Sequence, residues 1–296
     1  MSNPARLDPH RLPHVTRSGA SAVHLWTRSL LAVVLCSAVG LAAFLWPLFV
    51  DPGAGLGHDR DAPWVFVLLL PLLLAVVLAE IAEGGMDAKA VALLGVLSAV
   101  GAVLRPLSGG ATGAELIFFL LILAGRVLGP AFGFVLGATT LFASALLTAG
   151  VGPWLPFQML GAAWVGMFAG LLPPAKGRPE LLLLAAYGLV SGVAYGVLLN
   201  MSFWPFATYL GSSLSYVPGD ALADNLGRFA AFDLATSLGW DLVRGVTNVV
   251  LVLALGRPVL LALRRAARRA AFDAPVVFEA ADTPVAAAAG SARDGG

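Results

Sequence analysis

Apolar runs of about twenty residues, separated by short stretches rich in Gly, Pro and charge, recur along the whole chain, and they constrain its fold more than any other feature. A helix needs about 20 apolar residues to cross the hydrocarbon core of a bilayer. The runs fall at 30–50, 62–81, 88–104, 114–127, 129–148, 154–173, 180–199 and 229–256. Backbone groups in lipid have to be satisfied within their own segment, so these runs are expected to be helices. The expected fold class is an all-α membrane protein with eight transmembrane helices. Composition agrees, with 59% hydrophobic and 12% charged residues and a mean hydropathy of +0.88. Soluble domains carry about 25% charged residues. The first run, Leu30 to Val50, is too long for a signal-peptide core and is read as a retained helix. The run 114–127 is the weakest, because its purely apolar part extends only from Leu116 to Ala124, and a re-entrant segment is the other reading.

Charge sets the expected topology. Cytoplasmic loops are rich in Lys and Arg. Basic groups occur in the N-terminal tail (Arg6, Arg11, Arg17, Arg28), between two runs (Lys176, Arg178) and after the last run (Arg264, Arg265, Arg268, Arg269). Eight crossings put all three groups on the cytoplasmic side of the cell membrane, with both termini inside. The segments 51–61 and 200–228 then face outward, and Trp46, Trp64, Trp154 and Trp204 fall near outer helix ends. The stretch from Leu261 to Phe272 reads as a basic helical extension at the anionic headgroups, and the chain beyond it as disordered tail.

Several chemistries are excluded or disfavoured. The chain has one cysteine, Cys36, inside an apolar run, so there is no disulfide framework and no cysteine zinc site. All four histidines (His10, His14, His24, His58) precede the third run, which argues against a metal centre in the membrane. No phosphate-binding loop is present, and neither lysine, Lys89 or Lys176, follows a glycine-rich turn. No catalytic constellation is visible, so no enzyme activity and no cofactor are expected. A net charge of +1 does not suggest a nucleic-acid partner.

Polar residues within the runs are the candidates for function, because ionisable groups at membrane depth are costly and usually face a bundle interior or a cavity. In the last run Asp233, Ser237, Asp241, Arg244 and Asn248 follow spacings that place them on one helical face. Asp241 and Arg244 can neutralise each other, whereas Asp233 has no obvious local partner. Tyr187, Ser191 and Tyr195 share a face of the run before it, which ends at Asn200. Gln158 lies one turn into its run, and Glu115 opens the short one. The uncharged segment 201–218 carries Phe203, Trp204, Phe206, Tyr209 and Tyr216 and suits a cover over an outward-facing pocket. The candidate small-molecule site is therefore Glu115, Gln158, Tyr195, Asn200, Trp204, Tyr209, Asp233, Ser237 and Asp241. The run 88–104 has small residues four apart in three pairs, Ala88 and Ala92, Gly95 and Ala99, Ser98 and Ala102. Such strips let another helix come close, either inside the bundle or from a partner.

The strip from Ala88 to Ala92, followed by Arg105-Pro106, the short segment running into Gly129-Pro130 and Gly133, three further helices and a basic end, resembles the substrate-binding (S) components of energy-coupling factor (ECF) transporters over residues 86–265. The resemblance implies a six-helix core that binds a micronutrient from outside. It implies docking through Ala88, Ala92, Gly95 and Ala99 onto a membrane scaffold subunit driven by ATPase subunits. The general look is closest to the cobalamin-type members. The two helices at 30–50 and 62–81 are additions to that pattern. The expected organisation is a cytoplasmic tail (1–29), two additional helices (30–85), the binding core (86–265) and a basic, then disordered tail (266–296). The competing expectation is a secondary transporter that acts alone and couples to protons through Asp233 and Asp241.

Overall fold

A computed structural model describes residues 27–45, 88–108, 113–206 and 213–270, with isolated positions 48, 73 and 75. The expected helix at 62–81 lies almost wholly outside the described residues. Among the described residues the α-helices are α1 (Thr27–Leu45), α2 (Ala88–Leu107), α3 (Ile117–Leu128), α4 (Pro130–Leu147), α5 (Leu155–Leu171), α6 (Arg178–Phe203), α7 (Leu222–Thr236) and α8 (Leu238–Ala270), with a 3-10 turn at Trp204–Phe206 and no strand. Four of them, α2, α4, α6 and α8, are long and apolar enough to cross a membrane by length and composition.

Side-chain contacts give the helix directions. Ser98 of α2 meets Thr139 of α4 at 2.8 Å, and Arg105 meets Gln158 of α5 at 2.9 Å. Glu115, just before α3, reaches Arg244 of α8, while Arg126 near the end of α3 shares Glu180 with Arg264 of α8. Helices α3, α5 and α8 therefore run one way, and α2, α4 and α6 the other. The lower end carries Arg126, Lys176, Arg178 and the arginines of α8 from Arg257 onward, and the upper end carries Glu115, Asp241 and Arg244. Helix α1 runs against α5, with Ser37 accepting from the Trp164 indole at 3.0 Å and Phe44 edge-on to Phe157 at 4.9 Å.

Two expectations are revised. The segment expected at 114–127 is a twelve-residue helix, about 18 Å long at 1.5 Å per residue. That is shorter than the ~30 Å hydrocarbon core. It is the central helix, with Ile117 to Gly125 and Leu128 all buried, so the surrounding helices and not lipid solvate it. The last expected run, 229–256, is two helices. The helix is interrupted at Ser237 (φ −125°, ψ −29°), where Thr236 returns its hydroxyl to the Phe232 carbonyl at 2.7 Å. Such back-bonding competes with the backbone ladder and bends helices. Helix α7 begins at Leu222, within the segment expected as outer loop (200–228), and α8 continues to Ala270.

Glycines set how closely the helices approach. One residue, Gly129, joins α3 to α4 at φ 98°, ψ 167°, a conformation open to glycine alone. Pro130 then starts α4, where its missing N–H costs nothing. A Cβ at Gly133 would lie 2.3 Å from the Gly166 carbonyl oxygen, so α4 and α5 pack backbone to backbone.

Candidate functional site

The upper half of the bundle is organised around Arg244. Its Nε donates to Glu115 Oε1 at 2.9 Å, and Nη2 lies 2.9 Å from the same oxygen. Nη1 donates to Asp241 Oδ1 at 2.6 Å and to the Gly192 carbonyl at 3.2 Å. The guanidinium carbon lies 5.3 Å from the centre of the Tyr195 ring, which adds a cation–π contact. One positive and two negative groups thus meet where α3, α6 and α8 converge, an excess of one carboxylate. Asp241 is 2% exposed, and its Oδ2 has no hydrogen-bond partner. A buried carboxylate oxygen left free in this way can accept a hydrogen bond from an incoming donor.

The sequence of α6 explains how Arg244 and Asp241 are brought in so closely. Gly188, Gly192 and Gly196 are four residues apart and form a flat stripe. A Cβ at Gly192 would lie 2.9 Å from the Gly245 Cα, and one at Gly196 would lie 1.8 Å from Asp241 Oδ1. Asn248, one turn below Arg244, donates to the Gly188 carbonyl at 3.0 Å. The stripe allows three polar side chains of α8 to lie against the α6 backbone.

The expected site residues fall into separate groups. Glu115, Asp241 and Tyr195 are together, joined by Arg244. Tyr195 is buried against Phe118, with ring centres 4.6 Å apart. Gln158 is held by Arg105. Asp233 has a partner that was not foreseen, because Asn200 donates to it at 2.6 Å across α6 and α7. Ser237 sits at the helix interruption, half-buried and paired with Thr236. Trp204 stands at the end of α6, as expected, but is fully buried there instead of open to the surroundings: its indole donates to the Leu214 carbonyl at 2.6 Å, and it packs edge-on against Tyr216 and Phe229. Tyr209 lies outside the described residues. Arg105, Arg244 and the Gly192–Gly196 stripe are the contributors not picked out as site residues. The glycine spacing was a readable signal, whereas the Glu115–Arg244 pair, 129 residues apart, was not.

The three small-residue pairs of α2 divide between two faces. Ser98 and Ala102 are buried against α4, where a Cβ at neighbouring Gly101 would meet Thr140 at 2.5 Å. Ala88, Ala92, Gly95 and Ala99 are exposed on the other face, and nothing lies within 4 Å of a Cβ at Gly95. Val96, Val100 and Val103 flank them and are also exposed.

Residues 89–256 match the family described as ECF transporter, substrate-specific component, and that is more than half of the chain. The chain belongs to this family. It is therefore a membrane-embedded, substrate-binding component of a transporter, and its family is not one of enzymes. No curated protein and no solved structure matches the chain. The match begins within α2 and ends within α8, so α1 lies outside it.

Proposed function

We propose that this S component captures a vitamin-class micronutrient at its upper end and hands it inward through an ECF scaffold and two ATPase subunits, with cobalamin the favoured solute. The observation that carries the reading is the Glu115–Arg244–Asp241 cluster, a polar centre with a spare buried carboxylate oxygen in the half of the bundle opposite the basic end. By the bias of Lys and Arg toward the cytoplasm, the upper end faces outward. Asn200, Asp233, Gln158 and Tyr195 complete the polar lining. The exposed strip of Ala88, Ala92, Gly95 and Ala99 is the docking face for the scaffold, since small residues give another helix close access. Proton-coupled transport by this chain alone is the weaker reading, because Asp241 is paired with Arg244 and Asp233 with Asn200.

Purification of the chain alone in mild detergent, followed by denaturation and mass spectrometry of the released molecules, tests the proposal, with cobalamin titrated by calorimetry beside it. A stoichiometric vitamin, retained without ATP, is expected. Retention of a different micronutrient would remove cobalamin and keep the binding subunit. No retained ligand, together with proton-driven uptake by the reconstituted chain alone, would replace the proposal with the secondary transporter.

A further inference from the structure

At the lower end, α6 begins at Arg178 while α8 continues to Ala270, so α8 outruns the helix it packs against. A groove of about 390 Å³ opens there, lined by Arg178, Leu181, Arg257, Leu260, Leu261 and Arg264, with Glu180 at its inner wall. That volume is within the ~300–1,000 Å³ of small-molecule sites. Glu180 is 1% exposed and already holds two cations, Arg126 at 3.0 Å and Arg264 at 2.6 Å. It does not neutralise the remaining arginines. Arg178 and Arg257 are exposed and make no hydrogen bond or ion pair among the described residues. The groove is therefore cationic, with two unengaged guanidinium groups facing one cavity.

Its apolar side is equally informative. Val250, Leu253, Arg257, Leu261 and Arg264 follow one another at three- and four-residue steps, so they share a face of α8. Val250, Leu253 and Leu261 are about half exposed, and Leu182 of α6 is 63% exposed. Above the arginines the surface is thus a hydrocarbon wall, and below it the chain is basic. A ligand matching both parts carries a phosphate joined to long acyl chains.

We propose that this groove is a specific site for the headgroup of an anionic phospholipid in the leaflet at the basic end of the bundle. Its phosphate is held by Arg178 and Arg257, and its acyl chains lie along Leu253 and Leu182. Arginine suits this role because its planar fork binds phosphate oxygens in pairs. Basic pockets between transmembrane helices bind anionic headgroups on this chemistry. The site is at the opposite end of the bundle from the upper polar cluster.

The test uses the full chain in detergent, titrated with phosphatidylglycerol or phosphatidylcholine and read by native mass spectrometry. One phosphatidylglycerol per chain is expected, with no retained phosphatidylcholine and no displacement by inorganic phosphate. Arg178→Gln with Arg257→Gln should weaken retention at least tenfold while the melting temperature without lipid stays that of the parent. The variant Arg265→Gln, Arg268→Gln, Arg269→Gln, outside the groove, should change retention less than twofold. Equal loss in both variants would overturn the proposal in favour of diffuse attraction to a basic helix end. Displacement by millimolar phosphate would make it a site for a free anion. Unchanged retention in the double variant, with uptake lost in the presence of partner subunits, would assign the two arginines to a protein contact.

Discussion

Arg244 shows at the scale of one residue why a charged group can be kept inside an apolar bundle. Its guanidinium engages two carboxylates, one backbone carbonyl and one aromatic face, so every side of it is matched. Breaking a buried ion pair by removing one partner costs about 3–5 kcal/mol, because the other charge is left uncompensated. Arg244→Leu is expected to lower stability by about that amount, since the Asp241 carboxyl group loses its cation at a site where only 3% of its side chain is exposed. The double variant Arg244→Leu, Asp241→Leu should recover at least half of the loss, because the more deeply buried carboxylate leaves with the cation and only Glu115, 22% exposed at its side chain, stays unpaired. Thermal melts of the two variants check this. A double variant no more stable than the single one would mean that Glu115, and not Asp241, is the dominant partner.

Helices are the scale at which small residues acquire meaning. The stripe Gly188, Gly192, Gly196 on α6 and the strip Ala88, Ala92, Gly95, Ala99 on α2 are both small residues at helical spacing, yet the first is filled by α8 and the second faces away from the bundle. Matched substitutions separate their roles. Gly192→Leu forces α6 from α8 and should abolish both folding yield and solute retention. Ala99→Trp should leave retention within about twofold and abolish uptake in cells that carry the scaffold and ATPase subunits, since it blocks close helix approach only from outside. Loss of retention in Ala99→Trp would return that strip to the core of the bundle. How much was legible differs between these elements. The starts of α2, α4, α5 and α6 lie within two residues of the apolar runs, because Pro and Gly punctuate them. The interruption at Ser237 carries no apolar signal, since the runs on both sides are equally hydrophobic.

For the whole molecule, the ion pairs among the described residues sit at two levels, with a mainly apolar middle between them. Glu115 and Arg126 bracket α3, about 16 Å apart along the helix by its rise per residue. Below, Glu180 ties α3, α6 and α8 together through Arg126 and Arg264, and Arg126 also donates to the Leu172 carbonyl at 2.8 Å. Between the two levels lie the buried faces of Phe118, Leu121, Ile122, Phe132 and Leu136. The two ionic clusters share no side chain. Glu180→Gln is accordingly expected to destabilise the protein by about 3 kcal/mol, with Arg126 left buried beside a neutral amide. Solute affinity should change less than threefold, as calorimetry with the retained vitamin would measure. A tenfold or larger fall in affinity would mean that the two levels are coupled through α8.

Hydropathy alone determined that this chain belongs in a bilayer and where most of its helices lie. Those properties add up residue by residue along the chain. The tertiary structure decided the rest: that the short third helix is the buried centre, that Trp204 is interior, that Asn200 answers Asp233, and which of two small-residue strips faces outward. In a bundle whose helices are apolar on every side, periodicity carries no contrast between core and lipid. Orientation is then set by contacts between residues far apart in sequence, and Glu115 with Arg244 is the clearest of these.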